Sequence, residues 1–144
     1  MEYSELKDRI KEHEGYCNVV YKDSLGFATI GYGHLITPEE HYQEGQEYSK
    51  HELDAQFEAD FQTAKCGAER LLKGITILFT AKCVIIEMVF QIGEYGVSKF
   101  KNTLEALKKE NYLEASDEML DSHWAVQTPS RAKTLASIIR SCII

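Results

Sequence analysis

The chain has 144 residues, 23 of them acidic and 16 basic for a net charge of −7, and is 44% hydrophobic and 27% charged. That profile fits one globular domain able to bury about 68% of its unfolded surface, and no apolar run approaches the roughly 20 residues needed to span a bilayer. The acidity is uneven: residues 1–60 carry 14 Asp and Glu against 5 Lys and Arg, which argues against a nucleic-acid or anionic-membrane partner, since both require a basic footprint.

The first residues, Met-Glu-Tyr-Ser-Glu-Leu-Lys-Asp, have neither the basic start nor the apolar core of a secretory signal, so synthesis in a cytoplasm is expected. In residues 4–14, Leu6 and Ile10 recur among charged residues, with Ser4 as N-cap and Gly15 as the stop. This predicts a short amphipathic helix ending at Glu14. A helix C-terminus disfavours an ionised carboxylate, which suits Glu14 to a general acid. A solvated glutamate at a helix end is the ordinary alternative.

Residues 19–32 read as strand, turn, strand, with Asp23 and Gly26 in the turn and Thr29 on the second run. Asp23 is either a turn former that uses its side chain as a backbone acceptor or the second carboxylate of a glycoside-cleaving pair. Gly31 and Gly33 are costly in a strand unless something approaches closely, so they suggest a floor against which another group packs.

Thr37-Pro38-Glu39-Glu40 predicts a short turn of helix within a mobile acidic loop. Ser49 with Glu52 forms a clearer capping box, and Leu53, Phe57 and Phe61 then recur every fourth residue. The resulting helix, from about residue 50 to 72, would span about 30 Å, enough to bridge two lobes.

Residues 79–93 are apolar on nearly every side and predict a buried helix ended by Gly93, with Gln91 as its polar exception and Trp124 as a candidate donor to it. Shorter elements follow: a turn near 97–100, then helices over about 103–109, 112–121 and 129–141. Thr128 and Pro129 should start the last of these. Arg131, in its first turn, is opposed by the helix dipole and therefore calls for an anionic partner. Cys17, Cys66, Cys83 and Cys142 form no Cys-x-x-Cys pair, so no zinc or other metal site is expected. Free, partly buried thiols are the simpler reading, with two disulfides as the alternative.

In order, Glu14-Gly15, Tyr21-Lys22-Asp23, Gly26, Thr29-Ile30-Gly31 and Gly33-His34, then Met88-Val89-Phe90-Gln91-Ile92-Gly93-Glu94, Trp124, Gln127-Thr128-Pro129 and Arg131-Ala132 resemble the phage-type lysozymes, the bacteriophage muramidases or endolysins. The likeness covers residues 4 to about 35 and 80 to 140.

The resemblance implies an α+β, lysozyme-like two-lobed fold: a small N-terminal β-hairpin lobe and a mainly helical C-terminal lobe, joined by the long helix. It makes residues 1–144 a single lysozyme domain, with lobes of roughly 13–60 and 1–12 plus 61–144. It implies that Glu14 protonates the glycosidic oxygen between N-acetylmuramic acid and N-acetylglucosamine. Asp23 and Thr29 would hold and activate a water in an inverting reaction, with the two carboxyls about 6.5–9.5 Å apart. Arg131 would pair with Glu14, Trp124 with Gln91 and His34 with Asp60 in support, while Leu35, Phe90, Gln91 and Thr103 would line the saccharide cleft.

No cofactor is implied. The expected partner is peptidoglycan polysaccharide, met by a monomer that does not insert in membranes. The protein would be made in a host bacterial cytoplasm and act on the wall, in the periplasm, after release. A non-catalytic or weakly active wall-binding module of a phage tail or effector particle is the competing expectation.

Overall fold

The computed structural model describes residues 2–142. Helix α1 (Tyr3–Glu14) buries Leu6 and Ile10 completely, one helical turn apart. It begins before the expected cap: Leu6 N–H donates to Glu2 O (3.2 Å), and Glu2 N–H donates to Glu5 Oε1 (3.3 Å). A first-turn acid therefore satisfies the helix start, and Ser4 lies inside the helix. At the other end, Gly15 takes φ +75° and its N–H donates to Lys11 O (3.0 Å), the left-handed cap a glycine adopts at no steric cost.

Strands β1 (Cys17–Lys22), β2 (Ala28–Gly31) and β3 (His34–Leu35) form an antiparallel sheet in the order β1-β2-β3. The expected hairpin is thus extended by a third, two-residue strand. Ile30 is fully buried and clusters with Leu53, Tyr42 and Tyr48, with Val20 and Ile36 packed against them. The segment between β3 and the next helix holds no helix. Thr37 and Glu40 close one turn (3.1 Å), after which the chain is tied down rather than loose. Tyr48 N–H donates to Asn18 O (3.0 Å), Gln43 N–H to the Tyr48 hydroxyl (2.7 Å), and the Tyr42 hydroxyl to Gln56 Oε1 (2.9 Å). Two buried tyrosines anchor it where the sequence shows only its acidity.

Helix α2 (Lys50–Leu71) starts as its capping box predicts, with Glu52 N–H donating to Ser49 Oγ (3.1 Å). It buries Leu53, Phe57, Phe61, Ala64 and Ala68 on one stripe. The chain divides into two units: Lys7–Gln62 forms one, and the stretches up to Leu6 and from Thr63 onward form the other. Both α1 and α2 run through a unit boundary.

In the second unit, α3 (Phe79–Ser98) buries nearly every residue from Ala81 to Val89. Gly93 breaks it with φ 82° and ψ 162°, a region essentially only glycine enters. The expected break is there, but a further helical turn resumes and absorbs the turn expected near Val97. Helices α4 (Lys101–Lys108), α5 (Tyr112–Leu120), α6 (His123–Gln127) and α7 (Pro129–Arg140) complete the unit. The five-residue α6 is not evident from sequence; Ser122 Oγ caps it by accepting from Ala125 N–H (3.1 Å). Thr128 does not cap α7 with its side chain, because its hydroxyl donates back to Trp124 O (3.0 Å) and closes α6 instead. The α+β class is as expected, with the sheet confined to Lys7–Gln62.

Candidate active site

Glu14, Asp23, Thr29, His34, Leu35 and Asp60 all belong to the Lys7–Gln62 unit, whereas Phe90, Gln91, Thr103, Trp124 and Arg131 belong to the other. Glu14 ends α1 half-buried. Behind it lies Gly33, at φ +75°, where an added Cβ would fall 2.7 Å from Glu14 Oε1 and 3.3 Å from its Cβ and Cδ. Gly33 thus gives the floor a definite occupant, the glutamate side chain. At Gly31 an added Cβ would only reach ordinary contact with Leu53, at 3.4 Å, so it is the φ of +64° that favours glycine there.

Asp23 stands at the β1–β2 turn, half-buried. Its Oδ1 accepts from Leu25 N–H and Phe27 N–H, both at 2.9 Å, so one oxygen does the work of a turn former. No protein donor reaches Oδ2 among the described residues. Thr29 is 2% exposed, and its Oγ1 donates to Phe27 O (2.9 Å). With its proton committed there, the oxygen retains acceptor capacity. Tyr21 pairs with Thr29 across the β1–β2 ladder. Its hydroxyl is held above the usual tyrosine range, first by burial and then by the charges of Cys17, Glu14 and Asp23. The sequence places Tyr21 in the motif that carries the resemblance but gives it no role; its facing position to Thr29 is what sets it beside the site.

His34 is clamped between two carboxylates. Nδ1 lies 2.8 Å from Asp60 Oδ2 on α2, and Nε2 lies 2.9 Å from both oxygens of Glu40. Burial pushes the imidazole pKa down, but hydrogen bonds and charge from Asp60 and Glu40 outweigh it, and the net shift is upward. Burial pushes Glu40 up, yet the Thr37 N–H and His34 carry it below the usual carboxylate range. Asp60 accompanies His34 as the resemblance implies; Glu40 is an addition, reaching back six residues from a segment that sequence describes only as acidic.

In the other unit, Trp124 Nε1 donates to Gln91 Oε1 at 2.8 Å, which answers the buried indole donor and orients the amide two residues before the Gly93 break. Arg131 Nε donates to Glu87 Oε2 (3.0 Å), an acid with no exposed surface in the middle of α3. Glu87 is thus one anionic partner for the first-turn position of Arg131, and the apolar run around this acid concealed it. Thr103 is buried and borders a depression of about 180 Å³, together with Lys101, Asn102 and Glu118. All four cysteines are free thiols. No helix among the described residues is long and apolar enough to cross a membrane.

Comparison with known proteins gives the following. The phage lysozyme family model matches residues 11–140. Two proteins of Dictyostelium discoideum, described as probable T4-type lysozymes 2 and 1, are 32% and 34% identical to this chain. Each alignment covers 96% of this chain and 95% of the relative. A peptidoglycan hydrolase of Pseudomonas phage phiKMV is 27% identical over 88% of this chain, which matches only 14% of that longer protein.

Proposed function

The chain belongs to the phage lysozyme family, and on that premise we propose that it is a muramidase that hydrolyses the β-1,4 bond between N-acetylmuramic acid and N-acetylglucosamine in peptidoglycan. The observation that carries this reading is the division of labour at Asp23 and Thr29. Asp23 Oδ1 is occupied by two backbone N–H groups while no protein donor among the described residues reaches Oδ2, and the Thr29 hydroxyl already donates its hydrogen bond to Phe27 O. Two acceptors, one at the β1–β2 turn and one on β2, fit a water whose protons point at them and whose lone pair points outward. A water so held is a nucleophile, with Asp23 as its base.

Glu14 is the general acid that protonates the leaving oxygen, and Asp23 also stabilises positive charge developing at the anomeric carbon. The C–O bond breaks as the water attacks the opposite face, so configuration inverts. Gly33 keeps the space behind Glu14 free for its carboxyl. Phe90, Gln91, Thr103 and Leu35 are the proposed saccharide contacts, with Trp124 steadying Gln91. The partner is the glycan of the wall, reached after synthesis in a host cytoplasm.

Digestion of isolated peptidoglycan by the wild-type protein and by Glu14→Gln tests this. Removing the acid lowers kcat by about 10²–10⁴-fold, and the new reducing ends of wild-type product appear by NMR as the α-anomer. Turnover by Glu14→Gln equal to wild type would remove Glu14 from the mechanism, and initial β-anomer would refute inversion. No clearance by either protein would instead favour a wall-binding module.

A further inference from the structure

The pleat of the sheet sorts its residues by parity. Val20, Ile30 and Ile36 pack with Leu53 on one face. The facing pairs Tyr21 with Thr29 and Thr29 with Leu35 set those three residues on the other. Asp23 N–H donates to Phe27 O (2.9 Å), which carries the same register one step further and sets Phe27 opposite Asp23. Phe27 and Leu35 are then diagonal neighbours across Thr29, a separation of about 7–8 Å that an aromatic ring can bridge.

Both side chains are open to solvent, Phe27 at 58% and Leu35 at 55%. What Phe27 does for the turn, it does through its backbone: its N–H serves Asp23 and its carbonyl accepts from Asp23 N–H and Thr29 Oγ1. Its ring has no part in that network. An exposed aromatic and an exposed leucine thus flank the two residues assigned to the attacking water, in a unit whose carboxylates outnumber its basic residues 12 to 5. That field disfavours an anionic peptide and leaves an uncharged, partly apolar surface as the fitting occupant.

We propose that Phe27, with Leu35, forms an apolar rail on which the non-polar face of an N-acetylhexosamine ring packs, making Phe27 a specificity-determining residue for the glycan strand. This rests on the muramidase reading. The test uses Phe27→Ala, Phe27→Trp and Glu14→Gln, with peptidoglycan hydrolysis as one readout and binding of a β-1,4-linked N-acetylglucosamine hexamer in the Glu14→Gln background as the other. Phe27→Ala is expected to raise KM about tenfold, in line with losing the burial of much of a large apolar side chain, with kcat within about twofold and Tm unchanged. Phe27→Trp restores KM, and the Ala change weakens hexamer binding by the same factor. Unchanged KM and hexamer affinity in Phe27→Ala would overturn the rail, as would a kcat loss that tracks a lowered Tm and is not restored by Trp. Wild type no more active than Glu14→Gln would defeat the hydrolytic reading alone, because the binding arm still decides whether Phe27 meets sugar.

Discussion

A glycine at positive φ can be required by the backbone or by a neighbour, and this chain separates the two. Gly33 and Gly45 adopt φ +75° and +80°, so an alanine at either is strained to a similar degree, by about 1 kcal/mol. Only at Gly33 does an added methyl meet something, Glu14 Oε1 at 2.7 Å; at Gly45 nothing lies within 4 Å. Gly33→Ala should therefore lower kcat at least tenfold by displacing the Glu14 carboxyl, while Gly45→Ala costs stability and leaves kcat unchanged. Steady-state hydrolysis alongside thermal unfolding distinguishes them; equal kcat in both variants would mean that the Gly33 contact does not set the position of the acid. Asp23 shows how one residue leaves room for two sequence readings at once. The turn-forming alternative is correct for Oδ1, and the catalytic alternative asks only for Oδ2. Sequence posed these as rivals because it does not distinguish two oxygens of one carboxylate.

At the level of elements, what was legible is what local chemistry determines. The Ser49 capping box starts α2, Gly15 ends α1 and Gly93 interrupts α3. The features that escaped are short or depend on distant partners: β3 has two residues and exists by pairing with β2, α6 has five, and Glu87 lies in an apolar run until α7 brings Arg131 to it. The roles proposed for Glu14, Asp23 and Thr29 rest on family resemblance, since each alone has an ordinary explanation.

The His34 clamp is likewise non-local, joining β3 to Asp60 of α2 and to Glu40 of the following segment, with the Tyr42 ring edge-on at 6.0 Å. Both ring nitrogens donate only when the imidazole is protonated. His34 is raised above the ordinary imidazole value of 6.5, so its contribution is fully present below that pH and is lost as pH rises through the folded pKa. Glu40 is lowered from 4.5, so its contribution is present above that value and is lost as pH falls through the folded one. Stability should peak between the two transitions, and His34→Asn should flatten the alkaline limb. Urea midpoints from about pH 4 to about pH 9 measure this; an alkaline loss as steep in His34→Asn as in wild type would assign it to another group.

Across the whole molecule the charge is partitioned by unit. Lys7–Gln62 holds 12 acidic and 5 basic residues, which accounts for the entire net charge of −7, while the remainder balances at 11 of each. Every residue of the proposed acid and water-holding group lies in the acidic unit. Bacterial wall is itself rich in carboxylates, so long-range forces oppose encounter rather than steer it, and binding has to rest on short-range contacts such as the Phe27 and Leu35 rail. Salt then acts with the opposite sign from a basic wall-binding protein. Raising ionic strength from about 0.01 M to about 0.15 M shortens the screening length from about 30 Å to about 8 Å, which removes a repulsion and leaves apolar contacts and short hydrogen bonds nearly untouched. Over that range kcat/KM on isolated peptidoglycan should hold or rise, with the change carried by KM because the charge acts on approach and not on bond cleavage. A steep fall in kcat/KM with salt would show that a local basic surface, and not the acidic unit as a whole, governs how the protein meets the wall.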